Sequence, residues 1–448
     1  MSTLDWADRN QQNKMLVSEV MQKARMQKGL SHREALLLLT AGEQEELFAL
    51  AKQIKAAFYG SRVVLFAPLY LSNHCINDCM YCPYHSRNNT MVRKKLSQEE
   101  IRHEVIALQD MGHKRLVIEA GEHPVHAPIE YILESIETIY GIQHKNGAIR
   151  RVNVNIAAAS VADYQKLSAA GIGTYILFQE TYHRETYEAL HPVGPKASYD
   201  WHTEAMDRAM QAGLDDVGLG VLFGLADYRY EFTAMLLHAE HLEATYGVGP
   251  HTISVPRIRS AEGINTTDFS HSIDDNTFAR IIACLRISAP YTGIIVSTRE
   301  SEASRKQVLD VGVSQISGGS RTSVGGYGQE ISETKQFAIS DNRSLSEVTK
   351  WLMDIGHIPS FCTACYREGR TGDRFMELCK SGQIQNCCHP NALMTLQEYL
   401  IDYADENTRL QGEKLIAEEI DNIPSERMRT LVSDHLEQIK AGSRDFRV

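Results

Sequence analysis

The chain has 448 residues, with 57 acidic against 46 basic side chains and a formal net charge of -11. No basic run stands out that would suit a phosphate backbone, so nucleic acid is not an expected partner. The opening MSTLDWADRNQQNK lacks the basic-then-apolar order of a secretory signal. No apolar run approaches the roughly 18 residues that spanning a bilayer requires, so no membrane is expected and a cytoplasmic location is.

Residues 1–60 alternate charged and apolar positions at helical spacing, as in HREALLLLTAGEQEELFALAKQI, and read as an N-terminal helical extension. From about residue 62, short β-branched and aromatic runs recur between amphipathic segments, which is the pattern of βαβ units. The runs begin at Arg62, Arg115, Arg151, Thr174, Asp216, His251, Gly293 and Val313. Eight strands, each followed by enough chain for a helix, predict a TIM-type (βα)8 barrel over 61–345, in the α/β class. One helix start is explicit: Ser97 and Glu100 form a capping box, Ile101, Val105 and Leu108 make one apolar stripe, and Gly112 can end the helix in the left-handed conformation. Beyond 345 the alternation is expected to stop, and 346–448 reads as a cysteine-rich segment followed by helices.

Nine cysteines in a chain without a secretion signal point to metal or redox chemistry rather than to disulfides. Cys284 stands alone inside a helical pattern and reads as a small core residue. Cys75, Cys79 and Cys82, in CINDCMYCPY, occupy a loop directly after the first predicted strand. Three thiolates on a cubane of four irons leave one iron open to a small molecule. The bland alternative is zinc, with His74 or His85 as a fourth ligand. Far along the chain, Cys362 and Cys365 form a CxxC pair with 22 residues between Cys365 and Cys388, and Cys387 and Cys379 compete for the third position. A CxxC alone also suits zinc or a redox dithiol.

The CxxxCxxC spacing, with Tyr81 just before the last cysteine, resembles the radical S-adenosylmethionine (SAM) superfamily. The resemblance implies a [4Fe–4S] cluster on Cys75, Cys79 and Cys82, with SAM on its open iron and cleavage to a 5′-deoxyadenosyl radical. It further implies SAM contacts from Tyr81, from Glu122 in AGEHP, where Ala120 replaces the first glycine, from Glu180 in LFQETY, and from Arg208. The bland reading of each charge is a solvated rim residue. LFQETY, HTISVPRIR, STRE, GGSRTSVGGY and the terminal cysteine motif narrow the resemblance to the aromatic amino acid lyases, in the tyrosine lyase branch that matures [FeFe]-hydrogenase.

That branch implies cleavage of L-tyrosine to p-cresol and dehydroglycine. Carbon monoxide and cyanide would then form at an auxiliary [4Fe–4S] cluster on Cys362, Cys365 and Cys388. A fifth iron, held by His251 and by cysteine as a ligand, would capture them. Companion maturases and an electron donor are the partners it implies. A buried substrate carboxylate needs cations or hydroxyls, so Arg299, Ser317 and Arg321 are the expected clamp, with Arg257 a further option. Two alternatives remain: a 2-iminoacetate synthase of thiamine biosynthesis, which lacks the terminal cluster motif, and an iron–sulfur scaffold without radical chemistry.

Overall fold

The computed structural model describes residues 2–328 and 335–448. Four helices, Thr3–Asn10, Lys14–Arg25, His32–Ala41 and Gln44–Tyr59, precede the first strand. Leu36, Leu37, Leu38 and Leu39 are buried. Arg280, on the barrel helix Asp275–Ser288, ties this layer down by donating to the carbonyls of Leu38, Leu39 and Gly42.

The strands β1 (Arg62–Ser72), β2 (Arg115–Ala120), β3 (Arg151–Asn155), β4 (Tyr175–Ile176), β5 (Val217–Gly220), β6 (Thr252–Ser254), β7 (Gly293–Val296) and β8 (Gln315–Ser317) pair in chain order, all parallel. The partners Val64 with Gln315 and Phe66 with Ser317 join β8 to β1 and close the barrel. Each of the eight apolar runs read from the sequence supplies a strand. Helix Gln98–Met111 has the capping box on Ser97 and ends at Gly112 with φ 99°. Its Ile101, Val105 and Leu108 are fully buried, each contributing about 1.5–3 kcal/mol.

Alternation along the strands builds layers inside the barrel. Arg115 pairs with Arg151, Val117 with Asn153 and Glu119 with Asn155, so β2 and β3 carry a charged row at their N-terminal ends and a polar row at their C-terminal ends. Between these, Phe66, Val117, Ile176 and Ile295 pack as an apolar collar.

Among the described residues, one strand of the barrel sheet was not expected. β9 (Ile358–Ser360) pairs with β1 through Arg62 with Ile358 and Val64 with Ser360, while β2 joins β1 only from Ala67 onward. A three-residue run containing Pro359 suits such an edge, where proline's missing N–H costs little. The helices Gln385–Asp402, Glu406–Ile420 and Glu426–Lys440 follow, around Leu393, Leu396, Leu400, Ile416, Val432 and Leu436. Buried Glu398 on the first of them accepts from Arg150 at 2.9 Å and lies 3.6 Å from Lys114, locking these helices to the strand starts. Among the described residues no helix is long and apolar enough to cross a membrane.

Candidate active site at the two ends of the barrel

The long loop after β1 brings Cys75, Cys79 and Cys82 to the C-terminal mouth, where they line a cavity with Tyr81, Glu119, Glu122, Asn155, Glu180, Lys196 and Arg299. Burial pushes the Cys79 thiol up to about 12, with the neighbouring Cys75 adding to the effect. A cationic group binding there, added to the nearby Lys196 ammonium, would favour the Cys79 sulfur as a thiolate. The zinc alternative finds no fourth ligand: the His74 ring stacks on His126 at 3.8 Å, and His85 Nδ1 lies 3.0 Å from Asp78 Oδ1. Among the described residues no three ligand-type side chains converge on a single-ion site. A cube, which spreads its irons, suits these three thiols better than one tetrahedral ion.

The other expected mouth residues divide. Tyr81 lines the cavity with its hydroxyl 2.8 Å from His191 Nε2. Glu122 accepts from Asn77 Nδ2 at 2.6 Å, and the same amide reaches toward Cys75 Sγ at 3.8 Å. Burial raises the Glu122 carboxyl above its ordinary range, against the Asn77 hydrogen bond. Glu180 accepts from Lys196 Nζ at 2.8 Å and sits at φ 67°, a left-handed backbone that costs a non-glycine residue about 1–3 kcal/mol. Burial alone would push the Lys196 ammonium down, but Glu180 and Cys79 beside it hold it above its ordinary value.

Arg299 lines the cavity with its guanidinium 3.6 Å over the Phe337 ring, and it makes no ion pair among the described residues. Its two expected clamp partners are placed differently. Ser317 accepts the Thr298 N–H at 3.2 Å and thus anchors the backbone next to Arg299, outside the cavity lining. Arg321 is exposed, its side chain turned back to the Ser320 carbonyl, because the chain leaves the barrel after β8. Arg208 stacks on Trp201 at 3.7 Å and donates to the Ala159 carbonyl, away from the cavity. Arg257 is committed to Glu300 and Asp275, and its neighbour Arg259 lines the cavity instead. Asn77, Lys196, Glu119 and Arg259 had no motif of their own in the sequence; only the spacing to Arg257 hinted at the last.

At the N-terminal end of the strands, β9 delivers Cys362 two residues after Ser360. Cys362, Cys365, Cys379 and Cys388 line a second cavity with Arg62, Arg115, His251, Tyr366 and Phe375. Hydrogen bonds from Cys365 and Cys387 hold Cys388 well below the usual thiol value, whereas burial pushes Cys362 up to about 11. Cys387 Sγ instead lies 3.3 Å from the Ile384 carbonyl and does not line the cavity. His251 directly precedes β6, at the N-terminal end of the strands. The thiols occupy that same end, and its ring lies 4.3 Å from Phe375 and 5.7 Å from Tyr366. Gln315, opening β8, lines both cavities. Cys284 is a buried core residue, as read.

Comparison with known proteins places this geometry. A radical SAM superfamily signature covers residues 69–232, and a Biotin and Thiamin Synthesis associated domain covers 254–358. The chain is 30% identical to the 2-iminoacetate synthase of Escherichia coli (strain K12) over 345 residues, which are 76% of this chain and 89% of that protein. It belongs to the radical SAM superfamily. A radical SAM protein of this kind carries a [4Fe–4S] cluster and SAM, which fits the three thiols and the open cavity at the mouth. The crystal structure of HydG, a maturase of the [FeFe]-hydrogenase, matches with a TM-score of 0.96 at 52% identity, covering 99% of both chains. HydG from Carboxydothermus hydrogenoformans matches with a TM-score of 0.84 at 39% identity, covering 97% of both.

Proposed function

We propose that this radical SAM protein is a tyrosine lyase that serves [FeFe]-hydrogenase maturation. It would cleave L-tyrosine to p-cresol and dehydroglycine at the mouth and convert the fragment to carbon monoxide and cyanide at the floor. The observation that carries this reading is one barrel with a thiol set at each end and two cavities that share Gln315 in their linings. The full-length likeness to HydG supports it; the match to the 2-iminoacetate synthase spans a smaller share of the chain.

In this reading Cys75, Cys79 and Cys82 hold the SAM cluster, Glu122 and Glu180 orient SAM, and Arg299 receives the tyrosine carboxylate. Bound there, the cluster and SAM supply the radical that starts cleavage. Arg299 suits its part because a half-buried guanidinium without an ion pair among the described residues gains much from a bidentate carboxylate. At the floor, Cys362, Cys365 and Cys388 hold the auxiliary cluster, with His251 and a free cysteine on an additional iron. The fragment's conversion balances without a redox partner: HN=CH–COO− gives CO, CN− and H2O. Companion maturases would accept the product.

The test is anaerobic incubation of iron-reconstituted protein with SAM, dithionite, cysteine and tyrosine, beside a Cys362→Ala/Cys365→Ala variant. Wild type should release p-cresol and carbon monoxide together, and the variant p-cresol alone. Wild type making p-cresol alone would instead identify a 2-iminoacetate synthase; SAM turnover without p-cresol would discard the substrate.

A further inference from the structure

Among the described residues, three carboxylates line the mouth cavity, and the lyase reading employs two of them. Glu122 accepts from Asn77 and Glu180 from Lys196, whereas Glu119 makes no ion pair among the described residues. Glu119 is in register with Tyr70 on β1 and Asn155 on β3, so its side chain enters the barrel beside theirs. Asn155 donates to the carboxylate, and the single Tyr70 hydroxyl proton is shared with Gln336 Oε1 at 2.8 Å. An ionised carboxylate has room for about four donors, so Glu119 is short of them. Arg299 faces the same cavity and pulls on the Glu119 charge without pairing to it. Tyr84, Tyr327 and the Glu180 carboxylate are the other titratable groups facing it among the described residues. Burial holds Tyr70, Tyr84 and Tyr327 above the ordinary phenol value, so none of them competes for a proton near neutrality.

The proposed products dictate what the substrate nitrogen must lose. It enters as the ammonium of tyrosine, with three hydrogens, and leaves in HN=CH–COO− with one. One of the two goes as a hydrogen atom to the radical that starts cleavage. The other must go as a proton, and it must go first. An ammonium nitrogen has no lone pair to share with an unpaired electron, so taking an atom from it would leave a buried cation radical beside Arg299. Burial raises the Glu119 carboxyl to about 7, close to the roughly 8 of an ordinary α-amino group, so a proton passes between the two at little cost.

We propose that Glu119 is a catalytic residue: it holds the α-nitrogen of bound tyrosine and removes its proton before cleavage begins. This role rests on the lyase reading, with Arg299 holding the carboxylate of the same molecule. The step moves one proton and no unpaired electron: R–NH3+ and Glu119–COO− give R–NH2 and Glu119–COOH. The breaking N–H bond leaves its electron pair on nitrogen, and water takes the proton from Glu119 between turnovers.

The experiment is anaerobic titration calorimetry of the reconstituted full-length protein with SAM and no reductant, so that tyrosine binds without turnover. Two buffers of different ionisation enthalpy count the protons exchanged. At pH 6 Glu119 is protonated and the arriving ammonium expels that proton, so binding should release about 0.9 proton; at pH 8, with Glu119 already ionised, it should release about 0.1. 3-(4-Hydroxyphenyl)propionate, which lacks the amino group, should release none at pH 6, a comparison that needs no variant. Glu119→Gln should abolish the release on tyrosine binding and lower p-cresol formation about 100-fold at pH 7. Its residual kcat/KM should climb about tenfold per pH unit from 6 to 8 as neutral amine becomes available, while the wild-type value levels off above about pH 7. A carboxylate that only braced the strands would give the same proton count with tyrosine and with the analogue. That result, or a wild-type pH profile retained in Glu119→Gln, would overturn the role. Wild type that binds no tyrosine and makes no p-cresol would instead end the lyase reading, and this role with it.

Discussion

Replacing Glu119 by Gln should make thermal stability depend on pH in a defined way. Burial raises the Glu119 carboxyl to about 7, against the pull of Arg299 and hydrogen bonds from Tyr70 and Asn155. The gap from the ordinary 4.5 corresponds to about 3 kcal/mol. The folded value lies above the unfolded one, so this contribution is fully present below pH 4.5 and is lost as pH rises through about 7. The side chain lines a cavity that water can enter, so about 1–3 kcal/mol should be realised. Gln, being neutral, has no such loss. The variant's melting temperature relative to wild type should therefore rise between pH 5 and pH 8, by about 2–6 °C. Anaerobic scanning calorimetry of the protein without SAM measures it. A difference that stays constant with pH, or one that narrows toward pH 8, would refute the reasoning. Arg299→Met should widen the window, since it removes the charge that opposes protonation.

Other outcomes follow from the same packing. Gly173→Ala should destabilise the protein by about 1–3 kcal/mol, read as a lower melting temperature, because its Cβ has no room beside Asn153 and Arg151. Lys196→Met leaves the mostly buried Glu180 carboxylate unpaired, a cost of about 3–5 kcal/mol, and should weaken SAM binding in equilibrium dialysis while the cluster signal persists. His251→Asn should keep p-cresol output and the auxiliary cubane but lose the additional iron, which Mössbauer spectroscopy would show.

What the sequence disclosed follows physical range. The eight strands and the Ser97 cap depend on local periodicity and hydrogen bonds, so VVLFAPLYL and LSQEE carry them openly. Both cysteine sets were legible because their spacing is covalent. Side-chain direction at strand ends was not: Arg257 and Arg259 differ by two positions, yet one faces Glu300 and Asp275 and the other also reaches the cavity. Arg208 on the helix Ala205–Gln211, Ser317 closing β8 and Arg321 in the segment after it had the right chemistry and the wrong aim, since neither a helix, a strand end nor a loop declares in sequence where its side chain points. Asn77 and Lys196 act on Glu122 and Glu180 across 45 and 16 residues, which only the closed barrel reveals. That His251 shares an end of the barrel with the second thiol set was not legible, because that placement depends on β9, only three residues long.

That strand also sets a distance. β9 meets β1 at Val64 and hands the chain directly to Cys362, while β1 runs on to Ser72 before the mouth cysteines begin. Eight steps along a strand, at about 3.3 Å each, separate the two ends by about 26 Å. Electrons do not readily cross such a gap in one hop, so on the proposed function a cluster at the floor would not share the reducing equivalent delivered at the mouth. On the proposed function the two ends would thereby be coupled through matter rather than charge: what the mouth makes, the floor would receive as a molecule travelling down the barrel, and each would be reduced from its own side.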